Sequence, residues 1–187
     1  MRKLKLQMQL SVDGFVGGPN GEMDWMTWNW GDDIKKFVMD LTTPVDTILL
    51  GGHMPDGFIG HWKNVAANPS DEGYIFGKKM YDTPKVVFST TISESKWENT
   101  VVAKDDIVTE VNGLKKKDGG DIIAYGGANF VSNLIKNNLI DEYLLFINPV
   151  AIGSGMAIFK ELEGKLNLKL VSATPFECGI VALTYQV

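Results

Sequence analysis

Three short stretches of this chain combine glycine with hydroxyl-bearing or amide-bearing residues, each directly after an apolar, strand-like segment. Exposed backbone amides at a helix start, and hydroxyls beside them, can donate hydrogen bonds to phosphate groups without steric obstruction. Taken alone, each stretch is more often explained by turn chemistry or helix capping than by ligand binding. Their recurrence at three strand ends favours a binding site for a nucleotide with several phosphates. The residues are Gly51, Gly52 and His53 after "TILL", Ser89 and Thr90 after "KVVF", and Gly126, Gly127, Ala128 and Asn129 after "DIIAY".

The order of the elements that carry these stretches predicts an α/β fold. Strand-like and helix-like segments alternate through the first three quarters of the chain, which is typical of a largely parallel sheet. In such sheets ligands bind beyond the carboxyl ends of the strands, where the three stretches lie. The predicted strands are "KLKLQMQLSV", "DTILLGG", "KVVFSTT", "TVVA", "DIIAY" and "DEYLLFINPVAI".

The helices are predicted from apolar residues at helical spacing. They are expected in "DDIKKFVMDL", in "SDEGYIFGKKMYD" with Ser70 as its cap, over residues 105–117, and after Gly127. The segment "HMPDGFIGHW" is interpreted as broken by Pro55 and its two glycines.

The carboxyl-terminal part changes character. "KLNLKLVSATPFECGIVALTYQV" predicts two long strands with a turn near residues 177–179, so we expect the sheet to end in an antiparallel hairpin. No internal repeat or interdomain linker stands out, and a length of 187 residues fits one domain over residues 1–187.

Composition and charge exclude several classes of protein. A formal net charge of -5 argues against a nucleic-acid partner, because such proteins usually carry clustered basic residues. The amino terminus alternates polar and apolar residues, which indicates neither a signal peptide nor a membrane span. The single cysteine, Cys178, forms no intramolecular disulfide, so a cytoplasmic protein is expected. His53 and His61 lack metal-ligand spacing, and no metal site is predicted.

The order and spacing of four motifs resemble the dihydrofolate reductase-like superfamily. They are "QLSVDGFVGGPNGEMDWM", "DTILLGG", "KVVFSTT" and "IIAYGGANFVSNLIKNNLIDEYLLFINPVAIGSG". The most similar branch holds the reductase domain of the riboflavin-biosynthesis deaminase-reductase and its stand-alone relatives. The resemblance covers essentially the whole chain. It implies a three-layer α/β/α fold with a mixed, mostly parallel sheet.

The resemblance also implies a reaction and a cofactor. Members of the superfamily transfer hydride from NADPH to a small heterocyclic or sugar-derived C=N or C=O group. By this resemblance Val16 and Gly17 would border the nicotinamide, while Gly51, Gly52 and His53 would face the cofactor phosphates. Ser89 and Thr90 match the hydroxyl pair near the adenosine ribose, and the segment from Gly126 to Phe130 matches the turn beneath the pyrophosphate.

On the substrate side, Asp33 matches the acidic residue that faces the pterin in dihydrofolate reductases. A buried acid at this position, with a raised pKa, could hydrogen-bond the heterocycle or relay the proton that its nitrogen needs. Alternatively, Asp32 or Asp33 caps the helix and favours its positive end. Phe37, one turn later, and Trp25 are the other predicted substrate contacts; packing is the alternative for Trp25.

This sequence also departs from the superfamily's pattern. Gly52 stands where the family has an arginine, and the whole chain has one arginine, Arg2. The preference for NADPH over NADH is therefore open. The alternative function is a non-catalytic nucleotide-binding or structural relative that retains the fold. A small-molecule substrate is expected, and a homodimer is compatible with relatives that are dimers.

Overall fold

The computed structural model describes all residues from 1 to 187. Its sheet is built from eight strands: β1 Leu4–Leu10, β2 Val45–Gly51, β3 Lys85–Phe88, β4 Thr100–Val102, β5 Asp121–Tyr125, β6 Glu142–Ile147, β7 Lys169–Pro175 and β8 Val181–Gln186. Five helices accompany it: α1 Asp32–Thr42, α2 Pro55–Ala66, α3 Tyr74–Asp82, α4 Ile107–Lys116 and α5 Ala128–Lys136.

The sheet is mixed and mostly parallel, as predicted. Its spatial order is β4-β3-β2-β5-β1-β6-β8-β7. The first six strands in this order run parallel to their neighbours. β8 runs antiparallel to both β6 and β7, which confirms the carboxyl-terminal hairpin. The strands β3, β2 and β5 are consecutive, so their carboxyl ends meet along one stretch of the sheet edge.

Helices cover both faces of the sheet, which confirms the three-layer arrangement. On one face, the side chains of α4 and α5 form a single core with the even-numbered residues of β1. On the other face there are two smaller cores. One lies between α1 and the strands β6 and β8, and the other lies beneath α2 and α3 over β2, β3 and β5. The row of odd-numbered side chains on β1 separates these two cores.

Two predictions about the helices are wrong. The segment interpreted as broken forms α2, and Pro55 is its first residue, a position where proline costs no hydrogen bond. Ser70 is not a cap, because α3 begins at Tyr74 after Gly73. Sequence spacing alone could not distinguish a proline that starts a helix from one that interrupts it.

The longest helix, α2, has 12 residues. No helix of this protein has the length and apolar character needed to cross a membrane.

The only arginine is bound at the amino ends of the strands. Arg2 is nearly buried and forms an ion pair with Asp46. Its guanidinium also donates to Thr47 Oγ1 at 2.7 Å and to the Gly120 carbonyl at 2.6 Å. Through these contacts the guanidinium stabilises the amino ends of three neighbouring strands, β1, β2 and β5. It leaves the carboxyl ends of the strands without an arginine.

Candidate functional site

Five residues at the carboxyl ends of β2, β3 and β5 come together, and we call them the glycine rim: Gly51, Gly52, Ser89, Gly126 and Gly127. The Gly51 amide lies 3.4 Å from the Gly126 carbonyl oxygen, to which it donates. A Cβ atom added to Gly52 would lie 2.8 Å from Ser89 Oγ. The structure therefore brings together all three strand-end stretches that the sequence singled out.

Each of the two consecutive glycines at the end of β5 has its own physical role. Gly126 has a φ of +36°, a left-handed conformation that favours glycine. Gly127 is the residue that precedes α5 and makes no side-chain cap. A Cβ atom added to Gly127 would meet no heavy atom within 4 Å. Open space therefore lies over the start of α5, where unpaired amides and the helix dipole favour an anion.

Close packing beside the rim fixes its shape. A Cβ atom added to Gly51 would lie 2.8 Å from Phe130 Cβ, so only glycine lets α5 approach this strand end. The Phe130 ring stacks on Phe88 with 5.1 Å between the ring centroids. Ser89 Oγ accepts from the amides of Thr91 and Ile92 and thereby stabilises the turn after β3. Phe130 thus lines the rim as a packing residue.

The outer residues of the predicted cofactor site are solvent-exposed. His53, Thr90 and Asn129 are exposed, and Ala128 is half-buried. Lys160 donates to Asn129 Oδ1 at 3.2 Å. Lys96 pairs with Asp56 in the first turn of α2 at 3.0 Å. These contacts bring two lysines near the predicted phosphate side, but the Lys96 charge is already matched by a carboxylate.

The loop that holds Val16 and Gly17 is tied to the loop after β6. The Val16 amide donates to the Met156 carbonyl at 2.8 Å, and the Met156 amide donates to the Gly17 carbonyl at 2.9 Å. A Cβ atom on Gly155 would lie 2.2 Å from the Gly17 oxygen, which requires glycine there. Val16 belongs to the same core cluster that Ala128 and Phe130 flank. The two loops form one unit beside the rim.

Asp33 does not have the buried environment that the family resemblance implies. Its side chain is exposed and accepts from the Glu177 amide at 2.9 Å and from the Ile34 amide at 2.8 Å. These two hydrogen bonds, the first more than the second, lower the pKa of Asp33 below its usual value. The expected raised pKa is therefore wrong, because the carboxylate is stabilised by amides and is not desolvated.

The capping alternative is also only partly right. Gly31, not an aspartate, occupies the cap of α1, and no side chain caps the helix. Asp32 and Asp33 lie in the first turn, where negative charge favours the helix dipole. Through the Glu177 amide, Asp33 joins the start of α1 to the turn between β7 and β8. No hydrogen bond joins Asp33 to the glycine rim.

Asp33→Asn is expected to lower the melting temperature at neutral pH, because an amide can replace only one of the two accepting oxygens. A carboxyl group whose pKa is lowered in the folded state stabilises it above the unfolded pKa, and this contribution disappears as pH falls through the folded value. The difference in melting temperature should therefore shrink below about pH 3.8, the usual pKa. Thermal unfolding across pH measures it. Asp32→Asn, which removes a neighbouring charge without these bonds, is the matched control; equal effects of the two changes would contradict the prediction.

The predicted aromatic contacts divide into two groups. Phe37 packs edge-on against Phe146 and Phe176, with ring centroids 6.0 and 5.3 Å apart. Trp25 is half-buried and donates from Nε1 to the Glu22 carbonyl within its own loop. Trp30 is the tryptophan that stacks on Phe146, at 6.5 Å. The structure thus brings Trp30, and not Trp25, to the Phe37 cluster.

Sequence reasoning missed three carboxamides on the α1 to α3 face of the sheet. Gln7 and Gln9 lie on β1, and Asn148 follows β6 and is fully buried. Asn148 Nδ2 donates to Gln9 Oε1 at 2.8 Å, and Asn148 Oδ1 accepts from the Thr27 amide at 2.9 Å. A sheet covered on both faces should have apolar central strands. Polar residues at every second position of a central strand, Lys5, Gln7 and Gln9, were the available signal.

Gln7 Oε1 is the one buried side-chain oxygen or nitrogen of the protein that has no hydrogen-bond partner. An unsatisfied buried polar atom costs about 1–3 kcal/mol. Its neighbours in register are Tyr125 on β5 and Leu144 on β6. Tyr125 donates only to the Met80 sulfur, at 3.9 Å, and burial raises the pKa of its hydroxyl.

The glycine rim is the best candidate site, although two open clefts exist elsewhere. One, of about 290 Å³, lies between the end of α5 and residues 162–166, and the other, of about 230 Å³, surrounds Arg2 at the amino ends of the strands. Polar, charged and glycine residues make up most of the lining of both, and neither is lined by a residue of the rim. No group of three or more His, Cys, Asp or Glu residues could hold a metal ion.

Comparisons with known proteins give one family model and a similar uncharacterized protein. The family model described as the RibD C-terminal domain matches residues 2–182. The uncharacterized protein YyaP of Bacillus subtilis strain 168 is 34% identical over 185 residues, which cover 99% of this chain and 95% of YyaP.

Solved structures share the fold at low sequence identity. The diaminohydroxyphosphoribosylaminopyrimidine deaminase/5-amino-6-(5-phosphoribosylamino)uracil reductase of Thermotoga maritima has a TM-score of 0.69 and 14% identity; the match covers 99% of this chain and 56% of that one. Dihydrofolate reductase from Enterococcus faecalis, complexed with NADP(H), has a TM-score of 0.61 and 15% identity, with 98% and 95% covered.

Proposed function

Because the chain belongs to the RibD C-terminal domain family, we propose that it is an NAD(P)H-dependent reductase that transfers hydride to a C=N or C=O group of a small heterocyclic or sugar-derived substrate. The observation that carries this proposal is the open space over Gly127, where three strand ends converge at the start of α5. A helix start of this kind favours a pyrophosphate.

The residues present fit a dinucleotide. In our proposal Gly51, Gly52 and His53 face the cofactor phosphates, and the segment from Gly126 to Phe130 lies beneath the pyrophosphate. Ser89 and Thr90 would face the adenosine ribose, and Val16 and Gly17 the nicotinamide. When bound, a reduced nicotinamide would supply the hydride to the substrate carbon, and the substrate nitrogen or oxygen would take up a proton relayed by Asp33 or donated by water.

A catalytic role for Asp33 requires a change in its present hydrogen bonds. The catalytic role expected from the resemblance requires it to face the substrate, whereas its carboxylate accepts two backbone amides. Release of the Glu177 amide would free one oxygen to bind a heterocycle. We keep Asp33, with Phe37 and Trp25, as the proposed substrate side and test Asp33 directly.

A non-catalytic nucleotide-binding relative is the alternative, and one observation favours it. The chain has no arginine at the phosphate side, and Lys96 is paired with Asp56. A bidentate phosphate contact is therefore absent there. The same observation leaves NADH as an alternative to NADPH, because few cationic side chains are available to bind the 2′-phosphate that only NADPH carries.

The test is a titration with NADPH and with NADH, followed by a turnover assay with pyrimidine, pterin and imine substrates. We expect one cofactor to raise the melting temperature in proportion to RT ln(1 + [L]/Kd), and its oxidation to depend on a substrate. Asp33→Asn should keep cofactor binding and lose turnover if Asp33 is catalytic. Binding without turnover would favour the alternative, and absence of binding of either cofactor would reject the proposal.

Further parts of the proposal concern the cellular context. We propose that residues 1–187 act as one reductase domain in the cytoplasm, with a small-molecule substrate and no nucleic-acid partner. The proposed homodimer would use an exposed sheet edge, and β7 provides one, with Leu170 and Val171 each about half exposed.

A further inference from the structure

The first turn of α2 and the loop after β3 are joined by three side chains, which we call the Asp56 cluster: Asp56, Lys96 and Trp97. Lys96 Nζ lies 3.0 Å from Asp56 Oδ1, and Trp97 Nε1 donates to the same oxygen at 3.0 Å. The two elements begin beside Gly52 and Ser89, two rim residues that lie close together. The cluster therefore borders the part of the rim that the proposed function assigns to the adenosine ribose.

The positive charge of the cluster is already matched. Lys96 is the one lysine or arginine in the two segments that meet here, residues 51–56 and 89–99. Its ammonium contacts both oxygens of Asp56, at 3.0 and 3.3 Å, and lies 5.1 Å from the centroid of the Trp97 ring. An ion pair and a cation–π contact therefore hold this charge. A phosphate could bind Lys96 only by separating it from Asp56.

Carboxylates outnumber cationic side chains in the same two segments. Glu94 and Glu98 accompany Asp56, and all three are exposed. The Tyr81 hydroxyl donates to Glu98, which leaves the charge of this carboxylate in place. Exposed charges act on a ligand over about 10 Å at ordinary ionic strength. This border of the rim therefore repels an anionic group that both cofactors do not share.

Packing prevents a cation at position 52 from reversing this balance. A Cβ atom added to Gly52 would lie 2.8 Å from Ser89 Oγ and 3.3 Å from the Phe88 carbonyl oxygen. Ser89 Oγ is itself held by the amides of Thr91 and Ile92, from which it accepts. A side chain at position 52 therefore requires a shift of the turn after β3.

We propose that Asp56 is a specificity-determining residue that makes NADH, and not NADPH, the cofactor of this protein. This inference rests on the proposed function and names the dinucleotide of that site. NADH carries a 2′-hydroxyl on the adenosine ribose where NADPH carries a phosphate. A carboxylate accepts from ribose hydroxyls, whereas a 2′-phosphate needs a cation. Asp56 Oδ2 accepts only from Lys96, at 3.3 Å, so it has capacity for a further donor.

The test compares ADP-ribose with 2′-phospho-ADP-ribose, which differ in the same way as the two cofactors and lack the nicotinamide. By calorimetry we expect the wild type to bind ADP-ribose at least about tenfold more tightly, with the same preference for NADH over NADPH. Asp56→Asn removes the repelling charge and releases Lys96, so the ratio of the two dissociation constants should fall about tenfold. Lys96→Met leaves the carboxylate unpaired and should increase the preference.

A second ion pair of the same kind provides the matched control. Asp40 and Lys36 form an exposed pair at 2.6 Å on α1, outside the rim and the Asp56 cluster. Asp40→Asn removes one negative charge and breaks this pair, and it should leave the ratio of dissociation constants unchanged. Melting temperatures confirm that each variant is folded, and Asp56→Ser repeats the test should Asp56→Asn fold poorly.

Three results would overturn the inference. They are wild-type affinity for NADPH equal to or higher than that for NADH, an unchanged ratio in a folded Asp56 variant, and an equal change of the ratio in Asp40→Asn. Turnover keeps the two proposals apart. A protein that prefers ADP-ribose and NADH and oxidises neither cofactor rejects only the reductase, whereas one that prefers and oxidises NADPH rejects only this inference. Binding of none of the four nucleotides rejects both.

Discussion

Gly127→Asp is expected to weaken cofactor binding at least about 100-fold while leaving the protein folded. Gly127 precedes α5, and the space above it is open. Aspartate is a favoured residue at a helix start, because its carboxylate accepts from the first amides of the helix. The same amides are those that the proposed pyrophosphate would use. Loss of a charge-assisted hydrogen bond, with like-charge repulsion in addition, amounts to about 3 kcal/mol.

The measurement is the dissociation constant of NADPH or NADH by calorimetry, with the melting temperature recorded alongside. Gly113→Asp is the matched control, because Gly113 lies exposed on α4 with nothing within 4 Å of an added Cβ. It adds the same charge elsewhere and should leave the affinity unchanged. Equal affinity in the wild type and Gly127→Asp would show that the cofactor does not lie over α5.

Asn148→Asp is expected to reduce the free energy of unfolding by about 3–5 kcal/mol, as an uncompensated buried charge does. Asn148 is fully buried, and its Nδ2 faces three oxygens, those of Gln9, Leu10 and Phe146. An aspartate would place a carboxylate oxygen against these acceptors. The melting temperature should fall by roughly 10 °C at neutral pH.

The pH dependence of this variant has a definite sign. Burial and neighbouring oxygens favour the protonated carboxyl, so the deficit should be largest at neutral pH and should shrink as pH falls. Denaturant unfolding at several pH values measures it. Asn112→Asp, at an exposed position of α4, is the control and should differ little from the wild type. A deficit of similar size in both variants would contradict the role given to Asn148.

Much of the fold was predictable because its signals are local. Apolar periodicity located β1, β2, β5 and α5, and the turn at residues 177–179 identified the antiparallel hairpin. The glycine rim followed from one general rule, that ligands meet the carboxyl ends of parallel strands. Pro55 was misinterpreted because a proline has the same appearance in sequence whether it starts or interrupts a helix.

The substrate side was less predictable because it depends on contacts distant in sequence. The family resemblance predicted that Asp33 is a buried acid. Its actual environment depends on a hydrogen bond from the Glu177 amide, 144 positions away in the sequence. Gln9 is oriented by Asn148, 139 positions away. No local pattern encodes such pairings. Likewise, the sequence does not show which tryptophan, Trp25 or Trp30, packs against Phe146; in the structure it is Trp30.

The position of β8 determines when this protein can fold during its synthesis. β8 lies between β6 and β7, and Ile180 and Ala182 complete the core beneath α1. Because the chain leaves the ribosome amino end first, α1 and β6 emerge before residues 180–186 have been released and can pack against them. Until then the apolar face of α1 is exposed to solvent, and chaperones can bind to the nascent chain at this face.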